Sequence, residues 1–194
     1  MARRKKLPVV LTAEEAERLL SIPNRRYPTG LRNICILKMM LNAGLRSAEV
    51  LALEPRDVDL TTGKVHVRNG KGGKDRIVWI GEGTLDDLRA WTEKRADRVR
   101  NLDRSTPLFC TLDGKSIHSG YLRNFVYRIA EKAGIDKPIS PHTLRHSYAT
   151  DLYRESQNLR VVQKALGHSY VSTTMLYTHI VDKDYEEALS AFRR

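Results

Sequence analysis

The stretch GKVHVRNGKGGKDRIVWIG, residues 63–81, is where the hydrophobic pattern of this chain changes period. Val65 and Val67 alternate with Lys64, His66 and Arg68, the two-residue repeat of a half-buried strand. Residues 77–80 form an unbroken apolar run that reads as a buried strand, and the intervening NGKGGKD is built for a tight, glycine-rich connection. The stretch is therefore a β-hairpin. On both sides of it the repeat is helical, which decides the fold class: α+β, a mainly α-helical domain with one small antiparallel β-sheet.

Upstream, Thr12 and Glu15 make a capping-box pair that opens a helix running to Pro23. A longer segment follows, with Leu31, Ile34, Leu37, Met40 and Leu41 at spacings of three and four, ending at Gly44. The short LRSAEVLAL helix then stops at Pro55. Downstream, helical patterns cover residues 84–98, 119–133, 143–155, 159–166, 173–177 and 183–192, with a turn at Asp113-Gly114 between the first two. The basic, proline-containing start, residues 1–11, reads as an arm or linker, residues 12–181 as the domain, and 182–194 as a helical tail. In that tail Tyr185, Ala188, Leu189 and Phe192 form an apolar stripe.

Lys and Arg outnumber Asp and Glu by 34 to 23, a formal net charge of +11, so the expected partner is a polyanion. Two cysteines, Cys35 in an apolar run and Cys110 beside Phe109, argue against a disulfide framework and favour a reducing compartment. With no secretory signal and no apolar run of membrane-spanning length, the reading is a cytoplasmic protein without a membrane partner.

Several polar residues carry possible chemistry. His142 and His146 in SPHTLRHSYAT have the spacing of a zinc-binding HExxH pair, but Thr143 stands where that motif has its glutamate, and Arg145 puts a permanent cation between the ligands. The same guanidinium suits a phosphate, with His142 one turn earlier as a further donor. Arg46 opens a helix with Glu49 three residues on, close enough to orient it. Lys71, with Lys74 as its competitor, sits at the hairpin tip, where glycines let the backbone approach another surface. His168 follows Gly167, and Tyr177 comes nine residues later. Its hydroxyl, with an ordinary pKa of about 10, attacks only if a neighbour takes its proton or cations stabilise the phenolate. Each of these alone reads more readily as a surface ion pair, a solvated turn or a packed aromatic.

Together, Arg46 in GLRSAEV, Lys71 in GKGGKDR, His142 and Arg145 in HTLRHSYAT, and His168 and Tyr177 in LGHSYVSTTMLYTH resemble the ordered boxes of the tyrosine recombinase, or phage integrase, family over residues 7–181. Ala48, Ser147 and Tyr148 depart from the usual spellings without removing a reactive group. The resemblance implies Tyr177 as nucleophile, forming a 3′-phosphotyrosyl link and releasing a 5′-hydroxyl. It further implies Lys71 as general acid, His142 assisting proton transfer and His168 on the phosphate, with Glu49 orienting Arg46. No cofactor and no metal are implied: one phosphodiester replaces another, and Arg46 and Arg145 supply the charge that Mg²⁺ supplies elsewhere. The implied partner is double-stranded DNA, which would place the protein at the nucleoid. A monomer free in solution would assemble there as a homo-tetramer through the tail, although the tail could instead cover its own core. The resemblance also implies a DNA-clamping domain of about one hundred residues before this one, absent from this sequence. Two other readings stay open, a non-catalytic DNA-binding module of the same fold and a type IB topoisomerase-like relaxing activity.

Overall fold

The computed structural model describes residues 8–68, 75–167, 174, 175, 177, 178, 180–182, 189, 190 and 192. Lys71, Lys74 and His168 lie outside the described residues, as do residues 173 and 176 of the expected 173–177 helix and most of the expected 183–192 helix.

Helix α1, Ala13–Ser21, starts where the Thr12–Glu15 pair predicts: the Glu15 N–H donates to Thr12 Oγ1 and the Thr12 N–H to Glu15 Oε2. Two of the helix's orphan donors are thereby satisfied. Helix α2, Pro28–Asn42, is buried on nearly every side, its apolar positions Leu31, Ile34, Leu37 and Met40 being joined by Cys35, Ile36 and Met39. An apolar surface all round requires neighbours all round, and α2 packs against α4, Glu82–Arg98, and α6, Pro141–Ser156. Trp91 of α4 fills this centre and its indole N–H donates to the Leu108 carbonyl. Cys35 and Cys110 are both free and buried in the same core.

After α2 come the one-and-a-half-turn α3, Ser47–Ala52, and a 3₁₀ turn at Pro55–Asp57. Strands β1, Lys64–Val67, and β2, Arg76–Trp79, form the expected antiparallel hairpin, with Val65 opposite Val78 and Val67 opposite Arg76. The apolar run on β2 is not buried throughout: Val78 and Ile80 face the core, while Ile77 and Trp79 are exposed. A two-stranded sheet has one face on the core, and the period of two sends alternate side chains to solvent whatever their polarity.

Helix α5, Ser119–Lys132, follows the predicted Asp113-Gly114 turn, in which Cys110 and Ser116 bridge. Helix α6 begins two residues before the predicted start because Ser140 caps it and Pro141 suits the first turn. Helix α7, Leu159–Leu166, ends at Gly167 in the left-handed conformation.

Residues 9–11, read from sequence as part of an arm, are built into the domain. Leu11 is fully buried and its N–H donates to Ser147 Oγ on α6. Val9 packs on the main core, whereas Val10 packs on a second apolar cluster made of Ala149, Val162, Leu166, Tyr177 and Ile180. Apolar β-branched residues next to a basic run have no reason to stay in water when a groove is at hand. In the tail, Leu189 and Phe192 are exposed.

Candidate active site

Three arginines from three separate elements converge on one carboxylate. Arg46, in extended conformation ahead of α3, gives its backbone N–H to Glu49 Oε2 at 2.8 Å and a guanidinium N–H to Oε1 at 2.6 Å. Glu49 thus acts as a capping residue and an ion-pair partner at once. Arg76 of β2 meets both carboxylate oxygens at 2.8 Å and gives its Nε–H to the Ala165 carbonyl at the end of α7. Arg145 of α6 lies 3.7 Å from Glu49 Oε2 and donates to the Leu166 carbonyl at 2.6 Å and to the Gly44 carbonyl.

Gly44 can serve because its φ of +62° turns the chain sharply after α2, and a Cβ there would sit 2.3 Å from the Tyr148 ring. The carbonyls at two helix ends, groups that need donors, therefore fix the guanidinium of a third helix.

The cluster is sheltered from water, the side chains of Glu49, Arg76 and Arg145 being less than a tenth exposed and that of Arg46 about a fifth. Burial pushes the Glu49 carboxyl up, but the Arg76 hydrogen bonds, the Arg46 N–H and both their charges outweigh it and hold its pKa at about 2. Burial and the neighbouring Arg46 charge pull Arg145 down to about 10, which still leaves it charged at neutral pH. One carboxylate among three guanidiniums leaves the cluster with two positive charges in excess. Such a site is completed by an anion with several oxygens.

Tyr177 stands beside this charge. It is buried in the second apolar cluster, and its hydroxyl lies 3.0 Å from Nδ1 of His146, the rings tilted 50° at 5.9 Å between centroids. Burial raises its pKa, opposed by the charges of Arg145 and Arg46. His146 is pulled the other way, below the ordinary imidazole value, by burial first and then by His142 and Arg145. His142 is exposed in the first turn of α6.

Of the residues singled out in the sequence, the structure brings Arg46, Glu49, Arg145 and Tyr177 together and places His142 one turn before Arg145. It adds two that sequence reading did not assign. The first is Arg76, whose signal is its register: opposite Val67, it occupies a core-facing strand position where an arginine needs a buried partner. The second is His146, considered in the sequence only as one half of a metal-spaced pair, whose partner is the Tyr177 hydroxyl. Among the described residues no three His, Cys, Asp or Glu side chains are grouped to hold a metal ion, and no helix is long and apolar enough to cross a membrane.

The chain is similar to known proteins over most of its length. The model of the phage integrase family matches residues 9–184. The tyrosine recombinase XerD of Ralstonia nicotianae is 38% identical over 175 residues, 90% of this chain and 57% of that protein. The crystal structure of XerA recombinase superposes with a TM-score of 0.82 at 32% identity, covering 97% of this chain and 66% of the other. XerH site-specific recombinase, in a post-cleavage complex with its palindromic difH substrate, gives the same TM-score and identity over 99% of this chain and 56% of its own. The chain thus spans a little over half the length of the XerD relative.

Proposed function

The chain belongs to the phage integrase family, the tyrosine recombinases, and from that premise we propose that it is the catalytic domain of a site-specific recombinase that cuts and rejoins double-stranded DNA without ATP or metal. The observation that carries the reading is the buried cluster of Arg46, Arg76 and Arg145 on Glu49, two charges in excess, beside the buried Tyr177 hydroxyl.

In this reading the scissile phosphate is held by Arg46 and Arg145, whose N–H groups point at the non-bridging oxygens where charge grows as a fifth oxygen approaches phosphorus. Tyr177 Oη attacks, the bond from phosphorus to the 5′-oxygen breaks, and a 3′-phosphotyrosyl link remains. The departing 5′-oxygen takes a proton from Lys71. Attack by a partner strand's 5′-hydroxyl reverses each step and frees the tyrosine. His142 assists proton transfer and His168 hydrogen-bonds the phosphate. Glu49 and Arg76 touch no substrate; they set the direction of the two phosphate-binding guanidiniums. Catalytic work belongs to residues 12–181, with 182–194 as a tail whose exposed Leu189 and Phe192 would seat on a neighbouring protomer in a DNA-bound homo-tetramer. The DNA complexes of XerH, of lower size coverage but similar fold, support a DNA partner.

The test is a covalent adduct. A library of nicked duplexes, randomised across the site so that the strand released on cleavage diffuses away, is incubated with the protein, and DNA linked to it is recovered and sequenced. Adduct is expected with the wild type and none with Tyr177→Phe. No adduct at protein concentrations that saturate the DNA rejects the recombinase reading, and adduct persisting in Tyr177→Phe rejects the nucleophile.

A further inference from the structure

We propose that the chain carries a second anion site, remote from the arginine cluster. A cavity between the start of α2 and α5 takes a nucleoside monophosphate, its phosphate on Asn33 and the first turn of α2 and its base against Tyr27 and Tyr121.

The cavity has a volume of 370 Å³, within the range of about 300–1,000 Å³ that holds small-molecule ligands. Gly30 shapes it: a Cβ there would lie 1.9 Å from the Asn24 carbonyl oxygen, so only glycine lets the preceding loop close over the start of the helix. Asn33, also on the cavity wall, is 7% exposed. Two N–H groups of the buried Arg32 guanidinium donate to its Oδ1 at 3.1 and 2.9 Å, which fixes the carboxamide and leaves Nδ2 with no acceptor among the described residues. A buried amide donor in that state favours an acceptor arriving from outside. The helix adds two more donors. Pro28 has no N–H, the first turn has neither a side-chain cap nor an acidic residue, and the Thr29 and Gly30 N–H groups have no acceptor among the described residues. They stand at the positive end of a helix of 15 residues.

Charge and ring chemistry select the ligand. No residue on the cavity wall is acidic, and α5 presents Tyr121, Phe125, Arg128 and Lys132 to it along one helical face. Arg128 and Lys132 are exposed and pair with no carboxylate among the described residues. Two such cations match a phosphate monoester, which carries a charge of about −1.5 to −2 at neutral pH. Tyr27 and Tyr121 expose much of their rings, and Tyr121 stacks on Phe125 with the planes within 5°. Aromatic surface of this kind accepts any base, because every base has a π-face. The depth of Asn33 separates a free nucleotide from a DNA strand: a phosphodiester must continue through both of its ester oxygens, whereas a group that reaches a nine-tenths buried amide is the end of a ligand. The site is also distinct from the scissile-phosphate site, since Gly30 in the first turn of α2 and Gly44 just beyond its last are about 20 Å apart by helical rise.

Titration of the whole chain with AMP, GMP, CMP and UMP, followed by ¹H–¹⁵N spectra, tests the site. At least one is expected to bind with a Kd below about 1 mM and to shift the Thr29 and Gly30 backbone amides and the Asn33 side-chain amide. The matching nucleoside, without its phosphate, should bind about tenfold more weakly or worse. Asn33→Asp keeps the oxygen that Arg32 holds and turns the free amide into a second carboxylate oxygen, so it should weaken the nucleotide by about tenfold or more. Should that variant fail to fold, the exposed pair Arg128→Ala and Lys132→Ala together should weaken it as much while leaving the core intact. No saturable shift with any of the four up to about ten times that concentration overturns the proposal. So do a Kd unchanged in the Arg128 and Lys132 double variant, and shifts confined to Arg46, Arg76 and Arg145. A single-stranded oligonucleotide without terminal phosphates that displaces the nucleotide at equal affinity assigns the cavity to DNA and overturns the free-nucleotide site. None of these measurements needs cleavage, so their failure is distinct from failure of the recombinase reading.

Discussion

Glu49→Gln gives the arginine cluster its sharpest test. The substitution keeps the size of the side chain and removes the one negative charge shared by Arg46, Arg76 and Arg145. Removing one partner of a buried ion pair costs about 3–5 kcal/mol. The displacement of the Glu49 pKa from 4.5 to about 2 is an independent route to the magnitude and corresponds to about 3 kcal/mol. For a chain of this length that is a fall in Tm of about 6–12 °C at pH 7. The sign of the pH dependence follows from the depressed pKa. The stabilisation is complete above 4.5 and is lost as pH falls from there towards 2, where the wild-type carboxyl becomes neutral and resembles the glutamine. Thermal unfolding followed by circular dichroism from pH 7 to pH 2 should therefore show two melting curves far apart at neutral pH that converge in acid. A gap that stays constant across the interval, or one of less than about 1 kcal/mol at pH 7, means that Glu49 does not neutralise the cluster as described.

Three further outcomes are expected. Arg145→Lys cannot span the Gly44 and Leu166 carbonyls and face a phosphate together, so single-turnover adduct formation should drop about a hundred- to a thousand-fold; a change under tenfold removes Arg145 from the site. Gly44→Ala forces a Cβ into the Tyr148 ring at a positive φ and should cost about 1–3 kcal/mol in urea unfolding, whereas equal stability shows that the turn relaxes freely. DNA affinity, measured by fluorescence anisotropy, should fall linearly on a log–log plot against salt with a slope of several units, and a flat plot contradicts phosphate-dominated binding by this basic chain.

What was readable in the sequence was what short-range geometry determines. The Thr12–Glu15 cap, the Gly44 stop and the Arg46–Glu49 pair all act over three or four residues, so helical spacing alone reveals them. The hairpin was readable from its change of period, but the exposure of Ile77 and Trp79 was not, because an apolar run does not say whether its second face will be covered. Arg76 could have been found by extending the alternation from Val65 and Val67 to their partners, which turns an arginine inwards. His146 could not have been found that way. Its spacing from His142 suggested one shared face of α6, yet its partner is a tyrosine that only the packing of the second apolar cluster brings within reach. Lys71 and His168 are outside the described residues, so their proposed roles stand on motif and chemistry alone.

The short run Val9-Val10-Leu11 has a mechanical consequence. Leu11 is tied to Ser147, two residues after Arg145, and Val10 forms part of the wall around Tyr177. The backbone carbonyl of Val10 is in turn held by Lys137. Tension applied along the chain from its amino-terminal side reaches the helix of Arg145 and the compartment of Tyr177 before it reaches α1. Trimming the chain back to residue 12 would accordingly breach the tyrosine's compartment, and a fusion or cut placed between residues 8 and 12 would act on Tyr177 from a distance.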